Sequence, residues 1–589
     1  MCAIVGWQLP PGAKLAPGTL EAMSGTMSHR GPDDTGSYAD DRAGVALAHR
    51  RLSIIDLSEA SHQPMIDASR EIAMVYNGEI YNFRALRAEL EALGHAFRST
   101  GDTEVVLRSY LEWGSECFTR FAGMFALAIW DGATRTLHLA RDAMGMKPLY
   151  FRTDSGHFIF ASELKAFTAL PGFDPELDAQ SVQQYLEFGY AFDERRTMLR
   201  GVEKLAAGWR LEVRDGHVAH RERWYSPPAP DPQDTRDEAA RLEELGALLD
   251  QVVQEHLIAD VPLGLLLSGG LDSSLIASVA ARKGELLTVT MGFGGSTIDE
   301  RENAREVSRF IGSRHTDVLI TAADVKAEVA QGAWVFDDLF ADWGTITTRL
   351  LYRRCREQGL KVVLVGEGAD ELFGGYDIFD VPRKLGPWQQ FRLYQKYAGR
   401  RHGRLFGEFR EIMSGYIDAA HGDTFGAVRL FESRRQLPNQ YVMKVDKASM
   451  AESVEARAPY LDRRIADLAY RTPREWLQRG GQNKYMLRAL ARTKGLLPAT
   501  ASNRPKFGAP LATTWMDDDA AFRRFAMERI LADSSQTRRL GLARPMRAYF
   551  ERGVMGDPFP APLSIFRGLA WRLLLLELWA PHYLTRKAS

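Results

Sequence analysis

The 589 residues are 45% hydrophobic and 26% charged, an ordinary globular balance in a chain longer than one hydrophobic core supports, so two domains are expected. With 75 basic and 76 acidic residues the net charge is -1, which excludes a general attraction to nucleic acid or anionic membranes and points to small-molecule partners. The three dispersed cysteines, Cys2, Cys117 and Cys355, form neither a disulfide framework nor a metal-ligand set and suit a reducing compartment.

Pro10-Pro11 ends the first apolar stretch almost at once, so no export signal is predicted and a cytoplasmic location follows. Cys2 comes directly after the initiator methionine, and removal of Met1 would expose a thiol and an amine on one residue. An α-amine with a pKa of about 7.7 to 8 accepts a thiol proton near neutral pH and can act as the nucleophile's own base. Short apolar strands are predicted at 4–7, 45–47, 52–55, 72–76, 125–130, 137–140 and 158–161, with helices at 82–93 and 104–113. These make a layered, sheet-rich domain. Read alone, Asn77-Gly78 is a hairpin turn and Arg51 and Asp102 are surface ion-pair partners.

Residues 225–232 are proline-rich and polar, a stiff connection between domains. The expected division is a first domain at 1–225, a linker at 226–237 and a second domain at 238–589. A helix carrying Leu242, Leu245, Leu249 and Val252 leads to the apolar run 265–267 and then to Ser268-Gly269-Gly270-Leu271-Asp272-Ser273-Ser274. Two glycines and a helix starting near Leu271 aim backbone N–H groups and a positive helix end at one point, which suits phosphate. The loop has no lysine, so it is not a Walker A loop. Asp272 beside phosphate calls for a bridging Mg2+.

Helices and apolar strands then alternate through 275–281, 286–291, 302–311, 315–320, 350–357 and 361–365, predicting a parallel sheet covered on both faces. Ligands sit at the carboxyl ends of such strands, so 268–274, 291–293 and 365–371 should share one crevice. The last of these, Val365-Gly366-Glu367-Gly368-Ala369-Asp370-Glu371, adds carboxylates that favour metal-nucleotide chemistry. Residues 378–432 read as helical without a motif, and Arg400, Arg401 and Arg404 as a solvated face. Residues 565–579 read as a buried or docking helix rather than a membrane span.

The first-domain motifs Met-Cys-Ala-Ile-Val-Gly, Arg-Gly-Pro-Asp, Arg-Leu-Ser-Ile and Asn-Gly-Glu-Ile-Tyr-Asn complement a free amino acid bearing a side-chain amide: a guanidinium for its carboxylate, acids for its ammonium, and Asn and Gly donors for an oxyanion. In this order they resemble the glutaminase domain of class II, N-terminal-nucleophile amidotransferases. The resemblance implies that Cys2 attacks a glutamine amide, Asn77 and Gly78 stabilise the oxyanion, Arg51 holds the substrate carboxylate, and Glu79 and Asp102 hold its ammonium. Ala3 departs from the glycine commoner in that family.

Ser-Gly-Gly-Leu-Asp-Ser-Ser with Gly-Glu-Gly-Ala-Asp-Glu-Leu-Phe-Gly-Gly-Tyr, and further matches at 337–342, 446–451, 455–462 and 484–488, resemble the ATP-pyrophosphatase domain of glutamine-dependent asparagine synthetases. The implied fold is α/β, an αββα Ntn-hydrolase domain followed by a doubly wound parallel sheet with added helices. The implied site has ATP phosphates on Ser268, Gly269, Gly270, Leu271, Asp272, Ser273 and Ser274, adenosine along Leu266, Met291, Val365 and Gly366, and Mg2+ on Asp272 and Asp370. Glu367 is implied to position the acceptor carboxylate or its adenylate, and Lys484 to counter charge at the α-phosphate, although alone it reads as a helix-surface lysine. Arg457 reads as structural, pairing with nearby acids.

The implied reaction is asparagine synthesis from aspartate, ATP and glutamine by a homodimer. Val365, where serine is usual, and Trp343, where smaller residues are common, motivate a second reading with another carboxylate as acceptor. A cyclising relative resembling β-lactam synthetase is disfavoured by the retained Cys2, and a non-catalytic descendant by the intact set of site residues.

Overall fold

The computed structural model describes residues 2–230, 234–293, 299–342, 344–398, 403–503, 515–552 and 561–585. Trp343, Arg400 and Arg401 lie outside them. Two six-stranded antiparallel sheets form the N-terminal half. One runs Glu203–Lys204, Tyr150–Asp154, His157–Ala161, Cys2–Gln8, Val45–Arg51, Asp34–Asp40; the other runs His217–Arg223, Trp209–Arg214, Thr136–Arg141, Gly123–Asp131, Ile72–Ile80, Met65–Asp67. The two-residue period of a strand explains their stacking. Along Ile72–Ile80, Ala73 and Val75 join Ile4, Val45 and Leu47 between the sheets. Ile72, Met74, Tyr76 and Ile80 instead face the helices Phe83–Ala92 and Asp102–Trp113. With Thr19–Gly25 packed on the other sheet, the layers read α, β, β, α.

Residues 52–55, expected as a strand, are irregular. The Arg51 guanidinium donates to the carbonyls of Asp56 and Ser58 and turns the chain back on itself, while Leu52 and Ile54 remain buried. Asn77-Gly78, which taken alone reads as a turn, lies inside a wholly buried strand.

The C-terminal half is built on five parallel strands in the order Arg314–Ile320, Leu287–Phe293, Leu263–Leu266, Val362–Leu364, Glu455–Arg457. Helix Leu271–Ala281 follows the third of these and is buried over most of its length. Helices Pro387–Ala398, Phe406–Ala419 and Thr424–Phe431 occupy the stretch that carried no motif. Helix Ala561–Tyr583 buries Trp571, Leu575 and Trp579, and no described helix is long and apolar enough to cross a membrane.

The halves meet over one continuous apolar cluster, which contains Ala3 and Tyr150 from the first and Leu265 and Met443 from the second. A buried ion network also crosses the junction. Arg30 donates to Glu163 Oε1 at 2.9 Å and to both Asp446 oxygens at 2.7 and 2.9 Å. Lys447 lies 2.9 Å from Asp337 Oδ2, and Asp337 also accepts the backbone N–H of Leu164 at 2.9 Å. Each charge is shielded from water, so the set holds only because every member has an opposite partner.

Candidate active site

At one end of the sandwich the inter-sheet face turns polar. Cys2 extends the row of Ile4, Arg51 and His49 extend the row of Val45 and Leu47, and Asn77 and Glu79 extend the row of Ala73 and Val75. Cys2 is the register partner of Arg51 on the adjacent strand. Its backbone N–H donates to Asn77 Oδ1 at 2.9 Å, so the amide nitrogen of Asn77 faces the other way. That nitrogen, Nδ2, is buried without a hydrogen-bond partner among the described residues, as a donor reserved for a ligand would be. A Cβ on Gly78 would lie 2.2 Å from the Met124 carbonyl oxygen, so only glycine fits there. Burial pushes the Cys2 thiol above its ordinary range, and a base is needed to deprotonate it.

Asp102 begins helix Asp102–Trp113, and its Oδ2 accepts the Tyr76 hydroxyl at 2.7 Å and the Ile80 N–H at 2.9 Å. Burial raises the Asp102 carboxyl and, with Glu455 close by, raises that of Glu79 strongly. A cationic group arriving between them would restore their ionisation. Arg51 and Glu79 thus share the polar inter-sheet face with Cys2, and Asp102 is tied through the Ile80 N–H to the strand that carries Asn77 and Glu79.

The second site lies at the carboxyl ends of the parallel strands. Segments 266–268, 272–273, 289–291 and 365–371 line one cavity of about 470 Å³. Leu266, Ser268, Asp272, Ser273, Met291, Val365, Gly366, Glu367 and Asp370 are among its walls. Gly269 takes φ +72°, and a Cβ on it would strike the Asn303 backbone at 2.5 Å. Gly270 caps helix Leu271–Ala281, and its N–H donates to Ser268 Oγ at 3.2 Å. Ser268 and Ser273 hydroxyls are 3.0 Å apart. The loop is therefore shaped before any ligand arrives.

Lys484 is buried, not a helix-surface lysine. Its ammonium lies 2.5 Å from Asp272 Oδ2 and 2.6 Å from Asp370 Oδ1. Burial opposes that charge, yet the two carboxylates hold it above its ordinary range. The residue sits at φ +55°, a conformation that costs a non-glycine residue of order 1 kcal/mol. A Cβ on Gly375 would come within 1.9 Å of Asp370 Oδ1 and 2.1 Å of Lys484 Cε, so this cluster depends on glycine there.

Sequence reading assigned no role to Lys444, Glu455 or the stacking of Tyr81 on His256. Lys444 lines the cavity, and Glu455 accepts from Arg457 Nε at 2.6 Å. The Tyr81 and His256 rings stack at 3.5 Å across the domain junction. Asp446 and Lys447 stood in a quoted motif, but their pairing with residues about 280 to 420 positions away carries no local signal.

These two halves define an N-terminal-nucleophile amidotransferase fold joined to an ATP-pyrophosphatase fold. Residues 1–225 match the model of the glutamine amidotransferase domain and residues 244–580 that of asparagine synthase. The chain belongs to the asparagine synthase family. It is 33% identical over 575 residues to a Mycobacterium tuberculosis protein provisionally named a glutamine-hydrolyzing asparagine synthetase, covering 87% of each chain. It is 31% identical to asparagine synthetase (glutamine-hydrolyzing) 1 of Bacillus subtilis, covering 84% of this chain and 83% of that one. Against asparagine synthetase B (glutamine-hydrolyzing) of Escherichia coli it is 29% identical over 92% of this chain and 88% of the relative.

Proposed function

We propose that this chain is a glutamine-hydrolysing asparagine synthetase, converting aspartate, ATP and glutamine to asparagine, glutamate, AMP and pyrophosphate. The observation that carries the reading is the presence, in one chain of that family, of a buried Cys2 paired in register with Arg51 and hydrogen-bonded to Asn77, together with a preformed phosphate loop.

In the first half-reaction Cys2 Sγ attacks the glutamine amide carbon, the α-amine freed by loss of Met1 takes the thiol proton and passes it to the departing ammonia, and water then cleaves the γ-glutamyl thioester, releasing glutamate and restoring the thiol. Asn77 Nδ2 and the Gly78 N–H stabilise the oxyanion. Arg51 binds the substrate carboxylate, and Glu79 and Asp102 bind its ammonium. In the second, ATP phosphates lie on 268–274 and adenosine along Leu266, Met291, Val365 and Gly366. Glu367 positions the acceptor carboxylate or its adenylate, and Lys484 counters charge at the α-phosphate. Ammonia crosses the domain junction through an enclosed passage and attacks the adenylate.

Asp272 and Asp370 suit Mg2+, since the two carboxylates already converge on a single cation, the Lys484 ammonium. Bound there, the ion would screen the polyphosphate and ease departure of pyrophosphate. A homodimer in the cytoplasm completes the reading, and the domain division is that expected from the linker. The test is product analysis. Purified protein with aspartate, ATP, Mg2+ and glutamine should yield asparagine and pyrophosphate in equal amounts; pyrophosphate release with other acids but not aspartate would end this reading.

A further inference from the structure

Activating one carboxyl group leaves the rest of the acceptor to be recognised, and the cavity's charges bear on how. Asp272, Glu300, Glu367, Asp370 and Glu371 line it, and Lys444 is the one cationic side chain among its described lining residues. A second carboxylate on the acceptor would be repelled by this wall unless it met a cation.

Lys444 stands in the first turn of helix Val442–Met450 and is about four-fifths buried. Its ammonium lies 3.3 Å from Asp342 Oδ2. Asp342 is braced in turn, because its Oδ1 accepts the Gly344 N–H at 2.8 Å. A 3.3 Å ion pair is loose, and an ammonium carries three donors, so capacity remains toward the cavity. Burial opposes the charge, but Asp342 and Glu367 hold Lys444 above its ordinary range. Glu371, whose carboxylate accepts the Tyr376 hydroxyl at 2.6 Å, and Glu367 provide acids that suit an ammonium group. The lining therefore complements a zwitterion rather than a simple acid.

We infer that Lys444, braced by Asp342, binds the second carboxylate of the acceptor, so that the cavity selects an α-amino dicarboxylate activated on one carboxyl and held by the other. The inference rests on the proposed synthetase reading and names the residue that sets its substrate class. A carboxylate recognised by a largely buried ammonium distinguishes it sharply from an analogue lacking that group.

The experiment compares aspartate with β-alanine, which is aspartate without its α-carboxylate, by pyrophosphate release with ATP, Mg2+ and ammonium chloride. The wild-type chain should prefer aspartate in kcat/KM by about 100-fold or more. In Lys444→Gln that ratio should fall below about 5-fold, chiefly through a rise in the aspartate KM. Lys444→Arg, which keeps the charge, should retain most of the preference. Glutamine hydrolysis at Cys2 reports folding, and if Lys444→Gln has lost it, the Lys444→Arg variant decides: an aspartate to β-alanine ratio that falls to about 1 overturns the inference. Equal losses with both acceptors in a folded Lys444→Gln, or no wild-type preference, also overturn it. A wild-type chain inert toward aspartate overturns the synthetase reading itself.

Discussion

Arg457 Nη2 stands 3.4 Å from Glu79 Oε1, so a side chain from the edge strand of the parallel sheet closes on the polar end of the two-sheet sandwich. The same guanidinium donates to Glu455 and to the carbonyls of His256 and Ile258. Its own carbonyl accepts the Val365 N–H at 2.8 Å. One residue thereby touches both sites.

Arg457→Met should weaken glutamine binding more than ammonia use. The guanidinium opposes the upward push of burial and Glu455 on the Glu79 carboxyl, so without it that carboxyl is harder still to ionise. Glu79 then holds the substrate ammonium less well. A charged hydrogen bond is worth roughly 1.5 to 3 kcal/mol, so the glutamine KM should rise about 10- to 100-fold, with ammonium-supported synthesis changed by less than about 3-fold. Steady-state kinetics with each nitrogen source would show it; equal losses would reduce Arg457 to a structural role.

Cys2→Ala should abolish glutamine-dependent synthesis yet retain synthesis from added ammonium. The substitution removes the nucleophile, and its methyl group stays within the space of the thiol at the start of the strand. Loss of both activities would contradict the division of labour between the domains.

Gly375→Ala should silence the synthetase half alone. The added Cβ displaces Asp370 or Lys484, each under 2.2 Å from it, and the three-membered charge cluster cannot re-form unchanged. ATP-dependent pyrophosphate release should fall by about 100-fold or more, the scale of losing one preorganised electrostatic group, while glutamine hydrolysis persists. Unchanged pyrophosphate release would remove the Asp272–Lys484–Asp370 cluster from the chemistry.

His256 should make stability acid-sensitive. Burial lowers its pKa to about 3, and Nδ1 donates to the Val252 carbonyl at 2.8 Å. An unfolded histidine titrates near 6.5, so between about pH 6.5 and 3 the unfolded chain binds one more proton and stability falls as pH falls. At pH 5.5 this amounts to about 1.4 kcal/mol. His256→Phe keeps the stack on Tyr81 and removes the titration. The stability difference between pH 7.5 and 5.5, from urea midpoints, should shrink by that amount; an identical difference in the variant would reject the assignment.

Much of the architecture was legible because burial writes itself into local pattern. The apolar runs at 263–267, 287–291 and 361–365 belong to strands covered on both faces, and the glycine turns after them mark the site. Asp34–Asp40 and His217–Arg223 were not legible, since they are sheet-edge strands with polar residues on an exposed side. Residues 52–55 misled because Leu52 and Ile54 are buried without pairing. Cys2, Arg51, Asn77 and Asp370 announced themselves by residue type and company. Lys444 did not, because its importance comes only from the cavity that distant segments close around it.

The ion network of Arg30, Glu163, Asp337, Asp446 and Lys447 limits what engineering can do with this chain. A glutaminase half grafted onto another synthetase half would bring buried charges without their counterparts, each mismatch costing on the order of 3 to 5 kcal/mol. Several such mismatches would exceed the stability of a typical domain. Its catalytic halves are not interchangeable modules, and exchange would succeed only where both sides of the junction travel together.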